Sequence, residues 1–313
     1  MRRSAPHAHA RLVIAGIVGG GAIGTLIGAT LAPQAEVRML VRDNRTARAI
    51  VSRGGLVLDN AAPRRVAASA EPELLAGADI VVVALKSFAT VAVVEALRAA
   101  IGRIPIVSFQ NGADAVAQIE FALGHHAAIA LAPSSEAVAR MEPGIARRTG
   151  RGRTFLGWAQ DHANDDALLD ALAAALAGDL EIERAARIEP HVWAKLIANA
   201  AINPLTALTG ITNGELLERP GLRERAAGIA REAAEVARES GIELPFEDPV
   251  AHVEAVARLT AANRSSMLVD LERGGPTEIE SINGAIVRKA AELGMAAPEN
   301  ARALHEVRAR QRA

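Results

Sequence analysis

The sequence predicts an α/β protein in which a parallel-sheet domain is followed by an all-α domain. Short, apolar, strand-like runs alternate with helical stretches through the first half of the 313-residue chain. Such alternation is typical of a parallel sheet with crossover helices. From about Glu189 the strand-like runs give way to long helical periods. We therefore predict an extension over residues 1–10, a sheet domain over 11–186 and a helical domain over 187–313.

The strands of the first domain are predicted from short runs rich in β-branched residues, a composition expected of strands buried in a parallel sheet. These runs cover residues 12–18, 36–42, 79–86 and 105–112. Helical stretches separate them, and residues 90–101 are one example. The segment "GIARRTGRGRTFLGW" (144–158) has two strand-like pieces around a Gly-containing turn, which predicts a hairpin at the end of this sheet.

The second domain is predicted from helical periods at residues 191–207, 219–241, 249–273 and 277–294. A proline interrupts the chain at Pro204, Pro220, Pro245 and Pro276. Because a helix interior rarely accommodates proline, we expect helices to begin or end near these positions. Two domains of this kind leave a cleft between them, where ligands usually bind.

Composition excludes several classes of function. The net charge is −1 and aromatic residues make up 2% of the chain, so neither nucleic acid nor a membrane surface is an expected partner. The absence of cysteine excludes disulfides, thiolate chemistry and cysteine-based metal sites, and it suits a cytoplasmic protein. No apolar run approaches the ~20 residues of a membrane helix. The basic start "MRRSAPHAHA" is expected to be an N-terminal extension rather than a signal peptide.

A glycine turn predicts a dinucleotide site. Gly19, Gly21 and Gly24 form a G-x-G-x-x-G pattern directly after the first predicted strand and at the start of a helix. In a Rossmann-type fold these glycines permit the turn, the approach of the pyrophosphate and close helix–strand packing. The helix start, including Ala22 and Ile23, then presents free N–H groups to the phosphates. A glycine-rich turn without a ligand is the alternative.

The end of the second predicted strand indicates which cofactor is preferred. NAD-binding folds usually carry Asp or Glu here, on the ribose hydroxyls, whereas Arg42 occupies this place. A guanidinium can bind a 2′-phosphate, so NADPH is expected. A register shifted by one would bring Asp43 to the ribose instead, which leaves NAD open. Lys86, at the carboxyl edge of a central strand, is expected to contact the cofactor or to be solvated.

An unusual polar stripe lies on the helix predicted over residues 191–207. Lys195, Asn199 and Asn203 stand four residues apart among apolar neighbours, so they share one face of the helix. Reduction of a carbonyl by hydride requires a proton donor, and a lysine whose pKa is lowered by burial can serve. The asparagines could orient substrate oxygens. A lysine that extends to solvent and amides that cap neighbouring helices are the alternative.

Two further segments carry polar residues that suit the same chemistry. Residues 263–284 contain Ser265, Ser266 and Asn283, and Glu278 follows Pro276 close to where a helix should start. An acid there is also favoured by the helix dipole alone. Asn111 lies on the loop after a predicted strand, near the expected nicotinamide end, although an Asn-Gly turn is a sufficient explanation.

The chain resembles the ketopantoate reductase family over nearly all of residues 11–308. The resemblance lies in "GGGAIG", "ALKS", "QNG", "EPGIARRTGRGR", "WAKLIANAAINPLTALTGITNGEL", "SSMLVDLERGGPTEIESINGAIV" and "PENARAL". It implies a Rossmann domain, a helical domain and an active site between them. It also implies reduction of 2-dehydropantoate to (R)-pantoate with NADPH, a step toward pantothenate and coenzyme A.

The resemblance also implies roles for individual residues. Lys195 matches the catalytic lysine, and Glu278 matches the acid that binds the substrate hydroxyl and positions that lysine. The remaining matches are substrate contacts at Asn111, Asn199, Asn203 and Ser266, and cofactor contacts at Arg42, Lys86, Asn111 and Glu278.

The sequence departs from the family pattern in one motif. Many relatives read Gly-Arg-Pro-Thr-Glu before the helix, whereas "GGPTE" here places Gly275 at the arginine's position. A paralogue that reduces another 2-keto acid by the same chemistry is therefore the alternative. A non-catalytic dinucleotide sensor is disfavoured because Lys195 and Glu278 are both present. We expect a small 2-keto acid substrate and no metal, and a homodimer is left open.

Overall fold

The computed structural model describes residues 13–312, and these residues form two compact units. The first unit comprises the described residues up to Leu85 together with Ala92–Phe109 and Glu120–Ile188. The second comprises Lys86–Val91, Gln110–Ile119 and the chain from Glu189 onward. The predicted extension over residues 1–10 lies outside the described residues. The domain boundary at residue 187 stays a prediction.

The first unit contains the strands together with several helices. Its strands are β1 (Ile14–Val18), β2 (Glu36–Leu40), β3 (Val57–Leu58), β4 (Ala67–Ser69), β5 (Ile80–Val83), β6 (Ile106–Ser108), β7 (Ile129–Leu131), β8 (Ala137–Glu142), β9 (Ile145–Gly150), β10 (Arg153–Trp158) and β11 (Glu181–Arg184). The helices of this part of the chain are α1 (Ala22–Leu31), α2 (Asn44–Ser52), α3 (Thr90–Ile101), α4 (Ala115–Leu123) and α5 (Asp166–Leu176). The first turns of α3 and α4 belong to the second unit.

The main sheet has eight strands in the order β11-β10-β7-β6-β5-β1-β2-β4. The strands from β7 to β4 run parallel, and β10 joins the sheet antiparallel to β7. All four residues of β5 are fully buried, as expected for a strand covered on both faces. The prediction of a parallel-sheet domain with flanking helices is therefore confirmed.

The predicted hairpin over residues 144–158 is wrong. β9 pairs antiparallel with β8 in a separate three-stranded sheet, β3-β9-β8, whereas β10 pairs with β7 and β11 in the main sheet. The chain between the two strands runs close to Ser135, since a Cβ at Gly152 would lie 2.4 Å from the Ser135 backbone. The chain between β9 and β10 therefore passes against a third segment instead of folding back on itself.

The second unit is built from helices. They are α6 (Glu189–Thr209), α7 (Glu215–Glu218), α8 (Pro220–Glu239), α9 (Pro249–Leu259), α10 (Ser266–Glu272), α11 (Asn283–Glu292) and α12 (Pro298–Arg312). α6 contacts α8, α9, α10 and α12 and forms the centre of the unit's apolar core. Among the described residues, no helix is long and apolar enough to cross a membrane.

Pro204 lies inside α6, as the period predicted over residues 191–207 allows, although a helix boundary was expected near each proline. The helix continues to Thr209 with Pro204 buried inside it. Proline lacks an N–H, so the carbonyl four residues earlier, that of Ala200, loses its helical donor. The buried Asn283 side chain donates to this carbonyl at 3.1 Å and replaces the missing bond.

Two other helices differ from their predicted bounds. The period at 249–273 is divided into α9 and α10 by a turn at residues 260–265, where Ser265 caps α10 by accepting the Leu268 N–H. The period at 277–294 begins as a helix only at Asn283. Glu278 therefore lies in the turn before α11, where its backbone carbonyl accepts the N–H groups of Ser281 and Ile282.

Candidate active site

The glycine turn of the first unit has the geometry that a dinucleotide requires. Gly19 has φ +115°, and a Cβ there would lie 2.7 Å from the Ala84 carbonyl oxygen. A Cβ at Gly24 would lie 1.9 Å from the Gly19 carbonyl oxygen, whereas at Gly21 its nearest neighbour would be 3.9 Å away. Gly19 and Gly24 thus permit the turn and its packing, and Gly21 leaves space for a ligand. α1 begins at Ala22, so its first N–H groups face this space.

Arg42 and Asp43, the two residues that could select between NADPH and NADH, follow β2. The Arg42 side chain is 94% exposed and its Nε lies 3.4 Å from Asp43 Oδ2. The Asp43 carboxylate caps α2 by accepting the Thr46 N–H at 2.8 Å, and this bond lowers the pKa of Asp43. One carboxylate oxygen of Asp43 is therefore engaged by the helix, while the Arg42 guanidinium faces solvent.

Lys195 is half-buried on α6, in a stretch of chain where Trp193, Leu196 and Ile197 are buried. Desolvation by this surrounding protein lowers the pKa of Lys195 from 10.5 to about 8, while the negative charge of Glu278 opposes the shift. A lysine with this pKa remains mostly protonated near neutral pH and can still release its proton.

Glu278 is the buried acid of the second unit, with 5% of its surface exposed. Its Oε1 accepts the backbone N–H of Ser87 at 3.0 Å, and its Oε2 accepts the Asn111 amide at 3.0 Å. Lys86 Nζ lies 3.8 Å from Oε2. The structure thus joins Asn111, Lys86 and Glu278, three residues that the sequence analysis singled out separately.

The Asn111 loop reaches Glu278 through a close backbone approach. Gly112 has φ +95°, and a Cβ there would lie 2.4 Å from the Ser281 carbonyl oxygen. The Asn-Gly pair is therefore a turn, as the simpler reading of its sequence proposed. The same turn delivers the Asn111 side chain to the carboxylate.

Lys86 lies three residues beyond β5 and forms an ion pair with Asp270 on α10, with 2.6 Å between Nζ and Oδ2. Burial raises the pKa of Asp270, and the hydrogen bond and charge of Lys86 act in the opposite direction. The predicted contact between Lys86 and the cofactor stays a prediction, and in the structure the partners of Lys86 are acidic.

The two serines at the start of α10 have different environments. Ser265 is buried, and its hydroxyl accepts a hydrogen bond from the Thr206 hydroxyl at 2.8 Å and caps the helix. Ser266 is exposed as the first residue of α10. Ser266 is therefore the serine available to a ligand, and Ser265 is structural.

Asn199 and Asn203 share the stripe of α6 with Lys195, as the spacing predicts, and Asn203 is 7% exposed. Asn283 serves the structure instead, because its amide donates to the Ala200 carbonyl and to Asn300 Oδ1.

Sequence reasoning did not identify Asp270 or the backbone of Ser87 as members of this group. Asp270 stands four residues after Ser266 on α10, so helical spacing places both on one face and could have found it. Nothing in the sequence distinguishes the Ser87 N–H, because its role depends on the position of Glu278, 191 residues away.

A glycine turn after the first strand of a parallel sheet indicates a dinucleotide ligand. In the second unit a lysine with a lowered pKa interacts electrostatically with a buried carboxylate, a combination that is common at functional sites. Together these features define a nicotinamide-dependent oxidoreductase as the class of protein.

Comparison with known proteins agrees with this class. The profile of the family described as ketopantoate reductase PanE/ApbA matches residues 15–161, and that of its C-terminal region matches residues 187–311. A 2-dehydropantoate 2-reductase from Archaeoglobus fulgidus is 34% identical over 294 residues, which cover 93% of this chain and 96% of the relative.

Solved structures show the same fold. The structure of a PanE/ApbA family ketopantoate reductase from Ralstonia eutropha is similar with a TM-score of 0.85 and 30% identity, covering 96% of this chain and 99% of the other. A D-mandelate dehydrogenase in a ternary structure with NADH and anilino(oxo)acetate has a TM-score of 0.83 at 22% identity, covering 96% and 99% of the two chains. At that identity the second likeness supports the fold alone. The chain belongs to the ketopantoate reductase family, whose members are oxidoreductases that use a nicotinamide cofactor.

Proposed function

We propose that this protein reduces 2-dehydropantoate to (R)-pantoate with NADPH, a step in the synthesis of pantothenate and coenzyme A. The observation that carries the proposal is the cluster of polar groups around Glu278 in the second unit. There the buried Glu278 accepts the Asn111 amide and the Ser87 N–H and acts electrostatically on Lys195. Membership of the ketopantoate reductase family supports the choice of substrate.

In this proposal Lys195 is the general acid. Bound NADPH supplies a hydride to C2 of the substrate, and negative charge develops on the C2 oxygen. The Lys195 ammonium donates a proton to that oxygen. Its pKa of about 8 suits the task, because a donor acts best when its pKa is near the working pH.

Glu278 has two tasks in the proposed reaction. A carboxylate offers about four acceptor positions, so those not used by Ser87 and Asn111 can accept a substrate hydroxyl. Its negative charge also raises the pKa of Lys195 and so keeps the donor protonated.

The remaining polar residues would orient the substrate. Asn199 and Asn203 can present amide groups along the same stripe as Lys195, and the exposed Ser266 hydroxyl at the start of α10 can donate to the substrate carboxylate. Asn111 would contribute through its loop, where it already donates to Glu278.

The environment of Arg42 supports NADPH as the cofactor. The exposed guanidinium can bind a 2′-phosphate through paired hydrogen bonds, whereas the neighbouring Asp43 carboxylate is engaged in capping α2. Gly19, Gly21, Ala22, Ile23 and Gly24 would hold the pyrophosphate, and Lys86, Asn111 and Glu278 are proposed as further contacts to the cofactor.

The alternative is reduction of a different 2-keto acid by the same residues. Gly275 favours this alternative, since it stands where many relatives carry an arginine and precedes Glu278 by three residues. In either case Lys195 and Glu278 keep their roles, and only the groups that contact the substrate side chain change.

Oxidation of NADPH with a panel of keto acids decides between these alternatives. We expect kcat/KM for ketopantoate to exceed those for pyruvate and 2-ketoisovalerate by orders of magnitude. A preference for another acid would establish the alternative. Binding of NADPH without turnover of any acid would contradict the roles proposed for Lys195 and Glu278. Light scattering would test the open prediction of a homodimer on the same sample.

A further inference from the structure

Two histidines and a glutamate converge in the first unit, away from the residues discussed so far. Glu120 lies in the last turn of α4, His126 on the loop that precedes β7, and His162 on the turn that follows β10. Each residue has a ligand atom within 4.8 Å of those of the other two. The two imidazole rings stack with their centroids 4.3 Å apart.

Backbone carbonyls orient both imidazoles. His126 Nε2 lies 3.0 Å from the Asp161 carbonyl oxygen, and His162 Nδ1 lies 3.0 Å from the Ala127 carbonyl oxygen. Because a carbonyl only accepts, we assign the hydrogen of His126 to Nε2, which leaves the lone pair on Nδ1. The nitrogen of His162 that approaches the glutamate is Nδ1, 3.5 Å from Glu120 Oε1.

The contact between His126 and Glu120 brings a ring nitrogen and a carboxylate oxygen together. His126 Nδ1 lies 2.9 Å from Glu120 Oε1. With its hydrogen on Nε2, His126 directs the lone pair of Nδ1 at this oxygen, and a cation bound by both atoms would relieve the repulsion between the two acceptors.

We propose that Glu120, His126 and His162 bind a divalent transition-metal cation of the Zn²⁺ type. Two imidazole nitrogens and one carboxylate oxygen are a donor set that suits Zn²⁺, with water completing the coordination. An imidazole that ligates a metal commonly donates its other N–H to a carbonyl, as His126 does here through Nε2 to Asp161. Mg²⁺ and Ca²⁺ prefer sites built from oxygen, so this site would discriminate against them.

The position of the cluster indicates a structural role. The loop that carries His126 leads into β7, and β10 runs antiparallel to β7, so both histidines lie at the edge of the sheet where the parallel strands begin. The glycine turn lies at the opposite edge, where β1 ends. A bound cation would therefore link α4 to the β10 turn and would not take part in hydride transfer.

Titration of the metal-free protein with Co²⁺ and Zn²⁺ tests the proposal. We expect one equivalent of Co²⁺ to produce visible ligand-field absorption that Zn²⁺ abolishes by displacement, and Mg²⁺ to produce neither effect. Separate His126→Asn, His162→Asn and Glu120→Gln variants should each weaken Co²⁺ binding by at least about tenfold. Circular dichroism verifies that each variant is folded.

Matched histidine variants control for other binding sites. His305→Asn replaces an exposed histidine on α12, and a His7→Asn/His9→Asn variant removes histidines outside the described residues. Both should bind Co²⁺ as the parent does. Failure of the parent to bind Co²⁺ or Zn²⁺ would show that a proton bridges His126 and Glu120, and equal affinity in all variants would place the metal elsewhere. Either result overturns the proposal.

Discussion

Lys195 carries its charge in surroundings that disfavour charge, and this conflict can be measured. Burial lowers its pKa to about 8, and Glu278 limits the shift. Folding therefore makes the charged form of Lys195 less favourable, at the position where we propose a proton donor. Such conflicts between local stability and ionisation are most often found at functional sites.

The pH dependence of the reaction follows from this pKa. Because the proposed acid must be protonated, kcat/KM should fall as pH rises through about 8. Glu278→Gln removes the charge that raises the pKa of Lys195, so the midpoint of this fall should move to lower pH. A steady-state pH profile of each protein measures the midpoint. Lys289→Gln, which changes a half-buried lysine on α11, should leave it in place, and an unchanged midpoint in Glu278→Gln would contradict the assignment.

Replacement of Lys195 should separate activity from stability. In Lys195→Met we expect kcat to fall by about 10²–10⁴-fold, as is usual when a general acid is lost. The same variant should be more stable near pH 7. A lysine whose folded pKa lies below its unfolded value of 10.5 destabilises the fold wherever it is protonated, and this penalty disappears as pH rises from about 8 to 10.5.

Thermal unfolding of Lys195→Met at two pH values provides the check. The Tm gain near neutral pH should shrink at high pH, with each kcal/mol corresponding to about 2–4 °C. Lys289→Met is the matched control and should show no gain. A lower Tm for Lys195→Met at neutral pH would mean that the ammonium stabilises the fold.

At the scale of elements, α6 is continuous because α11 supplies the hydrogen-bond donor that Pro204 lacks. Pro204 removes the donor for the Ala200 carbonyl, and Asn283 at the start of α11 replaces it. The stripe of Lys195, Asn199 and Asn203 spans this position. The stripe therefore lies on a helix in which one missing backbone hydrogen bond is replaced by a side chain from outside α6.

Asn283→Ala should destabilise the protein by about 1–3 kcal/mol, because it leaves a buried carbonyl without a donor. Denaturant unfolding measures the loss. Pro204→Ala restores the N–H of residue 204, so the Pro204→Ala/Asn283→Ala double variant should recover part of the lost stability. Strictly additive effects of the two substitutions would contradict this account of the helix.

At the scale of the whole molecule, cofactor binding should stabilise the chain in a way that reports its preference. A ligand present at 100 times its Kd stabilises the folded state by about 2.7 kcal/mol. We expect NADPH to raise the Tm more than NADH at equal concentration. Arg42→Ala should remove most of this difference, because the exposed guanidinium is the proposed partner of the 2′-phosphate.

The control for this experiment is Arg140→Ala, which replaces an exposed arginine on β8 of the same unit. It should leave both Tm shifts unchanged. Equal shifts for NADPH and NADH in the parent protein would remove Arg42 from cofactor selection and return attention to Asp43.

The sequence by itself determined the fold class, the glycine turn, the periods of α6 and α8 and the alignment of Lys195 with two asparagines. These features depend on local spacing: strands and helices have fixed periods, and a turn that follows a strand is contiguous with it. The family resemblance extended this information to Glu278, Ser266 and Asn111. The local pattern wrongly predicted a hairpin between β9 and β10, because two adjacent strands can each pair with a strand from elsewhere in the chain.

Only the tertiary structure decided which polar residues meet. The contacts of Glu278 with Ser87 and Asn111 join residues 191 and 167 positions apart, and the pairing of Lys86 with Asp270 joins residues 184 apart. The same holds for the replacement of a lost helical bond by Asn283 and for the convergence of Glu120, His126 and His162. Burial and hydrogen bonding depend on three-dimensional packing, and no spacing along the chain encodes them.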